Sequence, residues 1–261
     1  MFSERFVNFV NKIQKNRNTK NNLNSFNREA KKWTLHKQEM LEFYSQFVSK
    51  NDLCFDVGAN VGNRTEVLLK LASKVVAIEP QKDCVDYLTN YFEGNNQLSI
   101  VAKALGASEG ESEIFIGDVS TISSLSNEWI KSVKKSGRFS NSSWSKKQVV
   151  NITTLDILIQ QFGLPSFIKI DVEGFEYQVI RGLTQPVKTL SLEFTPEAIE
   201  PTYQCIEHLR KIGDISLNYS VGESMKLSLE KWVKPDDMVE ILKSFKNDNK
   251  LFGDLYVKFN N

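Results

Sequence analysis

The stretch Leu53 to Pro80, LCFDVGANVGNRTEVLLKLASKVVAIEP, restricts the fold more than any other part of the chain. Leu53 to Val57 is a short apolar run that reads as a buried strand. Asp56, Gly58, Asn60 and Gly62 mark its end. A helical pattern follows, with Val67, Leu68 and Leu71 on one face. Lys74 to Ile78 is a second apolar run, closed by Glu79 and Pro80. The order is strand, glycine turn, helix, strand: one βαβ unit, whose crossover is expected to be right-handed.

The turn also limits what such a unit can bind. Glycines let the backbone turn tightly and approach a ligand without a Cβ in the way. The helix start presents free N–H groups and a partial positive charge. An acid at the end of the second strand can accept both hydroxyls of a ribose. NAD, FAD and S-adenosylmethionine can all use that geometry. A dinucleotide site asks for G-x-G-x-x-G, which from Gly58 requires glycine at positions 60 and 63. Both are asparagine. G-A-N-V-G, with Asp56 two residues before the first glycine, suits a ligand without a pyrophosphate: S-adenosylmethionine, with the loop at its amino-acid part and Glu79 at its ribose. The plain alternative is a strand-to-helix turn with no ligand.

Composition closes off other classes. The chain has 261 residues, 41% hydrophobic and 25% charged, which suits one full α/β domain with additions. Its 33 basic and 32 acidic residues give a net charge of +1, so no global basic field points to nucleic acid. There is no N-P-P-Y type motif for a flipped base. Cys54, Cys84 and Cys205 are far apart and odd in number, and two histidines, His36 and His208, are too few for a zinc site. Cys54 is expected to pack as a small hydrophobe. No apolar run approaches the roughly 18 residues of a membrane helix, and no signal-peptide core is seen. The expectation is a cytoplasmic protein.

Residues 1–50 read as a helical extension and 51–261 as the ligand-binding domain. Phe2, Phe6, Phe9, Val10 and Ile13 form an apolar stripe beside Arg5, Lys12 and Lys15. It is either a surface for a membrane or partner, or a helix packed on the domain. Arg28 to Lys50 reads as one helix with Trp33, Met40, Leu41, Tyr44, Phe47 and Val48 inward. Asp83 to Phe92 reads as a helix with Val85, Leu88 and Phe92 inward.

Leu98 to Val101 is the third strand. Short strands are expected at Glu113 to Ile116 and Gln148 to Ile152. Asn127 to Lys147, with Trp129 and Trp144, interrupts the α/β rhythm as a mobile loop or a short helix. Thr154 opens a helix ended by Gly163 and Pro165. Phe167 to Ile170, Thr189 to Phe194 and Ile215 to Val221 are the fourth to sixth strands. Helices are expected at Glu176 to Leu183, Ile199 to Ile212 and Pro235 to Phe245, and a last strand at Asp254 to Phe259. This predicts a doubly wound seven-stranded sheet of order 3-2-1-4-5-7-6, the last strand antiparallel.

Asp56-Val-Gly-Ala-Asn-Val-Gly62, Glu79-Pro80, Thr154-Leu-Asp156 and Lys169-Ile-Asp-Val-Glu-Gly-Phe-Glu176 together resemble the FkbM family of methyltransferases. Glu193 and Gly253-Asp254 fit the same pattern, and I-K-I-D-V-E-G-F-E is its most specific part. The resemblance runs from about Leu53 to Lys258. It implies a class I, Rossmann-like fold and S-adenosylmethionine-dependent methylation, mostly of hydroxyl oxygens on sugars and small metabolites. Lys103 departs from it, standing where a polar uncharged residue such as Asn is expected after the third strand.

Ligands of a doubly wound sheet sit at the carboxyl ends of the strands, near the switch point. The expected cofactor-binding residues are Asp56, Gly58, Asn60, Gly62, Glu79, Pro80, Ser123 and Asp171. Asp56 orients the loop or meets the ligand's ammonium, and Ser123 is either a contact or a turn residue. Asp171 and Glu173 are the candidate catalytic acids, able to act as a base on a poorly nucleophilic hydroxyl. Their alternative is to cap the helix that follows. They could also hold Mg²⁺, but two carboxylates are too few to establish a metal site. Glu193 adds a third acid, as a ligand, an orienting group or a structural residue. His208 reads as surface or packing. A nicotinamide oxidoreductase and a non-catalytic binding or scaffold protein of the same fold are the rival functions.

Overall fold

The computed structural model describes Phe26, residues 36–245, Asp248 and residues 251–260. The stripe at Phe2 to Ile13, and Trp33, lie outside the described residues. The central sheet contains β1 (Leu53–Val57), β2 (Lys74–Ile78), β3 (Leu98–Val101), β7 (Phe167–Ile170), β8 (Thr189–Phe194), β9 (Ile215–Val221) and β10 (Gly253–Phe259). Their order is β3-β2-β1-β7-β8-β10-β9. β10 runs antiparallel to both neighbours and the other pairings are parallel. This is the expected seven-strand order, with the switch point between β1 and β7.

Both faces of the sheet are covered, which is why its strands are apolar almost throughout. On one face lie α1 (Lys37–Tyr44), α2 (Asn63–Leu71) and α3 (Lys82–Tyr91). Met40, Phe43, Tyr44, Phe47, Val67 and Leu68 bury against Cys54, Val75, Phe167 and Tyr256 there. On the other lie α5 (Leu155–Phe162), α6 (Glu176–Arg181), α7 (Glu200–Ile212) and α8 (Pro235–Lys243). They share a core with Phe55, Ile168, Leu190 and Val257. Cys54 is fully buried in the first of these clusters, the packing role expected of it.

The helix before β1 is shorter than its pattern suggested. α1 ends at Tyr44, and Phe47 and Val48 leave it in a turn. These two bury all the same, because the aromatic stack of Phe47 on Phe167 and Tyr256 needs no helix. In α3 the buried side chains are Cys84, Tyr87 and Leu88, while Val85 and Phe92 are half-buried.

A second, three-stranded sheet stands beside the carboxyl ends of the first. β5 (Gly110–Ile116) pairs antiparallel with β6 (Lys146–Thr153), and β4 (Ala104–Leu105) pairs parallel with β6. Between β5 and β6 the chain makes a 3₁₀ turn at Ser120–Ile122 and then α4 (Asn127–Ser136). The segment 127–147 is thus a capped helix and its return. Ser126 Oγ accepts the N–H of Trp129, and Gly137 closes the other end with φ of 87°. Ile122, Trp129, Ile130 and Val133 form its own small core, joined by Phe139 and Trp144.

Candidate active site

The carboxyl end of the sheet turns polar on the face that carries α1. Asp56 pairs with Lys169 and Lys169 with Ser191 in register, and Glu193 pairs with Asp254. Side chains in register share a face, so one row of acids and a lysine faces the crevice. A cavity of about 410 Å³ opens there. Asp56, Gly58, Asn60, Glu79, Pro80, Ser123, Asp171 and Glu173 all line it, together with Glu193.

The glycine turn is held between two strands. Gly58 N and Ala59 N both donate to Ile78 O, at 2.9 and 3.1 Å, and Asp171 N donates to Val57 O at 3.0 Å. Gly58 has a φ of +81°, and a Cβ there would lie 1.8 Å from Asp171 O. The turn therefore passes β7 at a distance only glycine permits. Gly62 stands at the N-cap of α2 with φ of 84°. It lies outside the cavity wall and packs towards Leu88 and Phe92, so its part is to start the helix.

Glu79 is almost wholly buried. Its Oε2 accepts from Asn60 N and its Oε1 from Gln81 N, both at 2.8 Å. Burial pushes its carboxyl up to about 7, while the two N–H groups oppose the rise and Asp56 adds to it. Each oxygen keeps acceptor capacity towards the cavity. Asn60 itself has a φ of 48°, and its Oδ1 accepts from Ser120 Oγ at 3.0 Å.

Ser123 serves this arrangement rather than facing outward with a spare donor. Its hydroxyl donates to Gln81 Oε1 at 2.8 Å and accepts from Gly117 N at 3.1 Å. Gln81 Nε2 also donates to Ser120 O. The Ser120–Ser123 turn is thereby tied, through Gln81, to Glu79. Pro80 contributes its carbonyl, which accepts from Gln148 Nε2 at 2.8 Å. Lys103 lines the cavity beside Ala104 and Leu105.

Burial raises the Asp56 carboxyl above the ordinary range, against the opposing hydrogen bond that it accepts from the Thr65 hydroxyl. Lys169 is 2% exposed, in the middle of a strand. Its Nζ meets Asp254 Oδ1 at 2.9 Å and Asp171 Oδ2 at 3.2 Å. These two acids supply the partners a buried ammonium requires, and they keep it charged against the pull of burial. Asp171 is oriented by this contact.

No side chain caps α6, so neither Asp171 nor Glu173 does. Glu176, its first residue, ties down the turn before it: Oε1 accepts from Val172 N at 3.1 Å and from Gly174 N at 3.2 Å. Glu173 is a non-glycine residue with φ of 53°. Its backbone is gripped from the side of the second sheet: its carbonyl accepts from Ser124 Oγ at 2.6 Å. Trp129 lies on Gly174, where a Cβ would meet the indole at 2.2 Å. A strained conformation fixed from two directions is typical of a functional turn.

Asp171, Glu173 and Glu193 each place a carboxylate oxygen within 4.8 Å of the others. Burial, followed by the charges of Asp171 and Glu176, raises Glu173 well above the ordinary carboxylate range. Glu193 rises likewise, with Glu173 and Asp171 its nearest like charges. Oxygen donors of this kind suit a hard cation, and Glu193 brings the third one that Asp171 and Glu173 lacked.

Burial also lifts Glu176 to about 7, its backbone partners opposing the rise and Asp171 adding to it. The unfolded chain releases that proton near its ordinary value of 4.5, whereas the folded chain holds it until about 7. The stabilisation from the protonated group is complete below the lower value and is lost as pH rises through the upper one. Glu176→Gln can keep both backbone bonds, since one oxygen accepts both. Guanidinium chloride unfolding should find it as stable as wild type near pH 4, and more stable at pH 8 by about 1–3 kcal/mol. Equal loss at both pH values would contradict this origin of the shift.

Several residues of the site had weak sequence signals. Lys169 interrupts the run F-I-K-I, and a charge in a buried strand calls for buried partners. Arg64, Gln81, Trp129, Arg138 and Glu223 also line the cavity. Nothing in their spacing marks them, because their partners are distant in sequence. Thr154 and Asp156, in contrast, lie within a recognisable motif yet work structurally. Thr154 caps α5, and Asp156 accepts from the N–H and hydroxyl of Thr184. His208 is half-buried in α7, with Nε2 2.8 Å from Leu183 O, a packing role.

Fold and site together define a doubly wound α/β protein with a carboxylate-lined ligand crevice at its switch point. Residues 56–244 match the family model described as the methyltransferase FkbM domain. The chain belongs to that family. No curated protein matches it. Among solved structures it is similar to the methyltransferase FkbM from Methylobacillus flagellatus KT, at 12% identity and a TM-score of 0.42, over 92% of this chain and 60% of that one. It is also similar to the O-methyltransferase from Bacillus cereus in complex with SAH, at 10% identity and a TM-score of 0.45, over 87% and 81% of the chains. A third is the precorrin-6y C5,15-methyltransferase from Geobacter metallireducens GS-15, at 8% identity and a TM-score of 0.44, over 85% and 87%. Among the described residues, no helix is long and apolar enough to cross a membrane.

Proposed function

We propose that this chain is an S-adenosylmethionine-dependent O-methyltransferase acting on a hydroxyl of a saccharide or small metabolite. The methyltransferase domain is taken as 51–261, with 1–50 an extension whose α1 covers the sheet. The observation that carries the reading is Glu79. Two backbone N–H groups fix its carboxylate at the end of β2, and it faces the same cavity as the Asp171–Glu173–Glu193 cluster.

The residues present fit the cosubstrate. The Gly58 turn brings its backbone to the cavity wall against β7. Ile78, Ala104 and Leu105 give an apolar wall for a base, Glu79 suits a ribose, and Asp56 and Asp171 suit an ammonium. When bound, the cosubstrate supplies an electrophilic methyl on a sulfonium that leaves as a neutral thioether. Glu173 accepts the proton of the acceptor hydroxyl as the oxygen attacks the methyl carbon. Its raised carboxyl range brings its basicity nearer to neutral pH than a free glutamate's. Asp171, turned by Lys169, orients the reactants, and such positioning supplies much of the rate. Trp129 and Phe139 line the cavity with the acids, a combination of flat apolar surface and acceptors that suits a sugar ring. No step of this reading passes through a metal.

Glu79→Ala should weaken S-adenosylhomocysteine binding roughly 10- to 100-fold, the value of one or two hydrogen bonds to a charged group. Calorimetric titration measures it. Acceptor-dependent release of S-adenosylhomocysteine from a saccharide panel separates the enzyme from a scaffold of the same fold. Tight binding without turnover on any hydroxyl acceptor would favour the scaffold.

A further inference from the structure

One end of the cavity carries a charge that the proposed chemistry leaves unused. Arg64 is the second residue of α2 and lines the cavity beside Asn63 and Gly58. Its side chain is only 12% exposed. One terminal nitrogen, Nη2, donates to Glu223 Oε2. The other, Nη1, donates to the thioether sulfur of Met40 at 3.2 Å, a weak acceptor. Tyr44 Oη, close enough to Arg64 to feel its charge, is buried with no hydrogen-bond partner in the described structure. The start of α2 adds its own positive potential in the same place. A guanidinium and a helix start thus meet at the cavity wall where an anion is favoured, with the phenol buried behind them.

Glu223 reaches this point from far away, 159 residues along the chain. It follows β9 and Gly222, whose N–H donates to Phe252 O at 2.7 Å. The rest of that connection is tied back to β9, through Ser228 N to Tyr219 O and through Leu229 to Asn218. Glu223 is half-exposed at the cavity rim, and burial raises its carboxyl against the opposing pull of Arg64. Of the two partners, the arginine is the enclosed one and the glutamate the one that can turn to solvent.

We infer that Arg64 anchors the carboxylate of the cosubstrate's amino-acid end and that Glu223 is the internal carboxylate it exchanges for. This rests on the proposed S-adenosylmethionine site. The ligand's ammonium then meets Asp56 and Asp171 while its carboxylate meets Arg64, so each end of the zwitterion finds the opposite charge. Glu223 acts as a latch: it keeps the buried guanidinium paired and is displaced by the ligand. An internal competitor scales the apparent affinity down to the fraction of chains in which it is disengaged.

Two probes separate the carboxylate from the rest of the ligand: S-adenosylhomocysteine and its decarboxylated analogue, which retains the adenosine, the sulfur and the amine. The wild type should prefer the first by roughly 10- to 100-fold in calorimetric titration. Arg64→Met should remove that preference and leave the analogue's affinity within about twofold. Glu223→Gln should tighten S-adenosylhomocysteine by roughly 3- to 10-fold and leave the analogue unchanged. Equal binding of both ligands to the wild type, or a preference that survives in Arg64→Met, overturns the inference while the cofactor reading stands. Failure of the wild type to bind either ligand overturns both. If Arg64→Met binds neither, the Glu223→Gln titration decides, and unchanged S-adenosylhomocysteine affinity there rejects the latch and its anchor.

Discussion

Glu173→Gln lowers the turnover of methyl transfer roughly 10²- to 10⁴-fold, the usual contribution of a positioned general base. Its S-adenosylhomocysteine affinity stays within about threefold of wild type, because the loss falls on the transition state. The substitution is nearly isosteric and removes only basicity. It leaves untouched the contacts that hold the turn, since Ser124 grips the Glu173 carbonyl and Glu176 the neighbouring N–H groups. Asp171 differs in being bonded to Lys169. Asp171→Asn is therefore expected to disturb cofactor affinity as well as rate. Steady-state kinetics with titration of both variants separates the two roles. Unchanged turnover in Glu173→Gln would mean that positioning alone carries the reaction.

Gly58→Ala should abolish the site altogether. Two penalties add there: a left-handed φ of +81° and a Cβ 1.8 Å from a backbone oxygen that cannot move aside cheaply. Relief requires β1 and β7 to separate at the switch point, and a shift of about 1 Å there costs on the order of 100-fold in function. S-adenosylhomocysteine binding should fall at least that far, with reduced stability in urea. Gly94→Ala is the control, with φ of +79° and nothing within 4 Å of its Cβ. It should lose about 1 kcal/mol of stability from strain and bind as wild type does. Equal behaviour of the two variants would show that backbone strain, not the close approach to Asp171, is what Gly58 relieves.

The strands were the most readable part of the chain. Leu53–Val57, Lys74–Ile78 and Phe167–Ile170 have the ends their sequences suggested, because strands covered on both faces are continuous apolar runs bounded by turn residues. The seven-strand order followed from alternation with helices. The second sheet and α4 were less readable. β5, GESEIFI, is mostly exposed at its start, and its register depends on β6 more than thirty residues later. α4 packs chiefly on its own return, so its pattern alone could not tell helix from loop.

The same contrast holds in the site. Gly58, Glu79, Asp171 and Glu173 sit in local motifs whose chemistry follows from residue type and spacing. The division of labour among the acids does not. Glu176 ties down the turn before its helix, Asp254 reaches Lys169 from two strands away, and Glu193 joins Glu173 only because β8 lies beside β7. Arg64 and Glu223 meet across the whole length of the domain. Such pairings come from strand order, which a motif does not carry.

The central claim is that the crevice beside Glu79 is built for the adenosyl cosubstrate. Calorimetric titration of the wild type with S-adenosylhomocysteine, and in parallel with NAD, tests it most directly. The account predicts one saturable site for S-adenosylhomocysteine and no heat of binding for NAD. NAD binding, or no S-adenosylhomocysteine binding by protein that unfolds cooperatively, would contradict it.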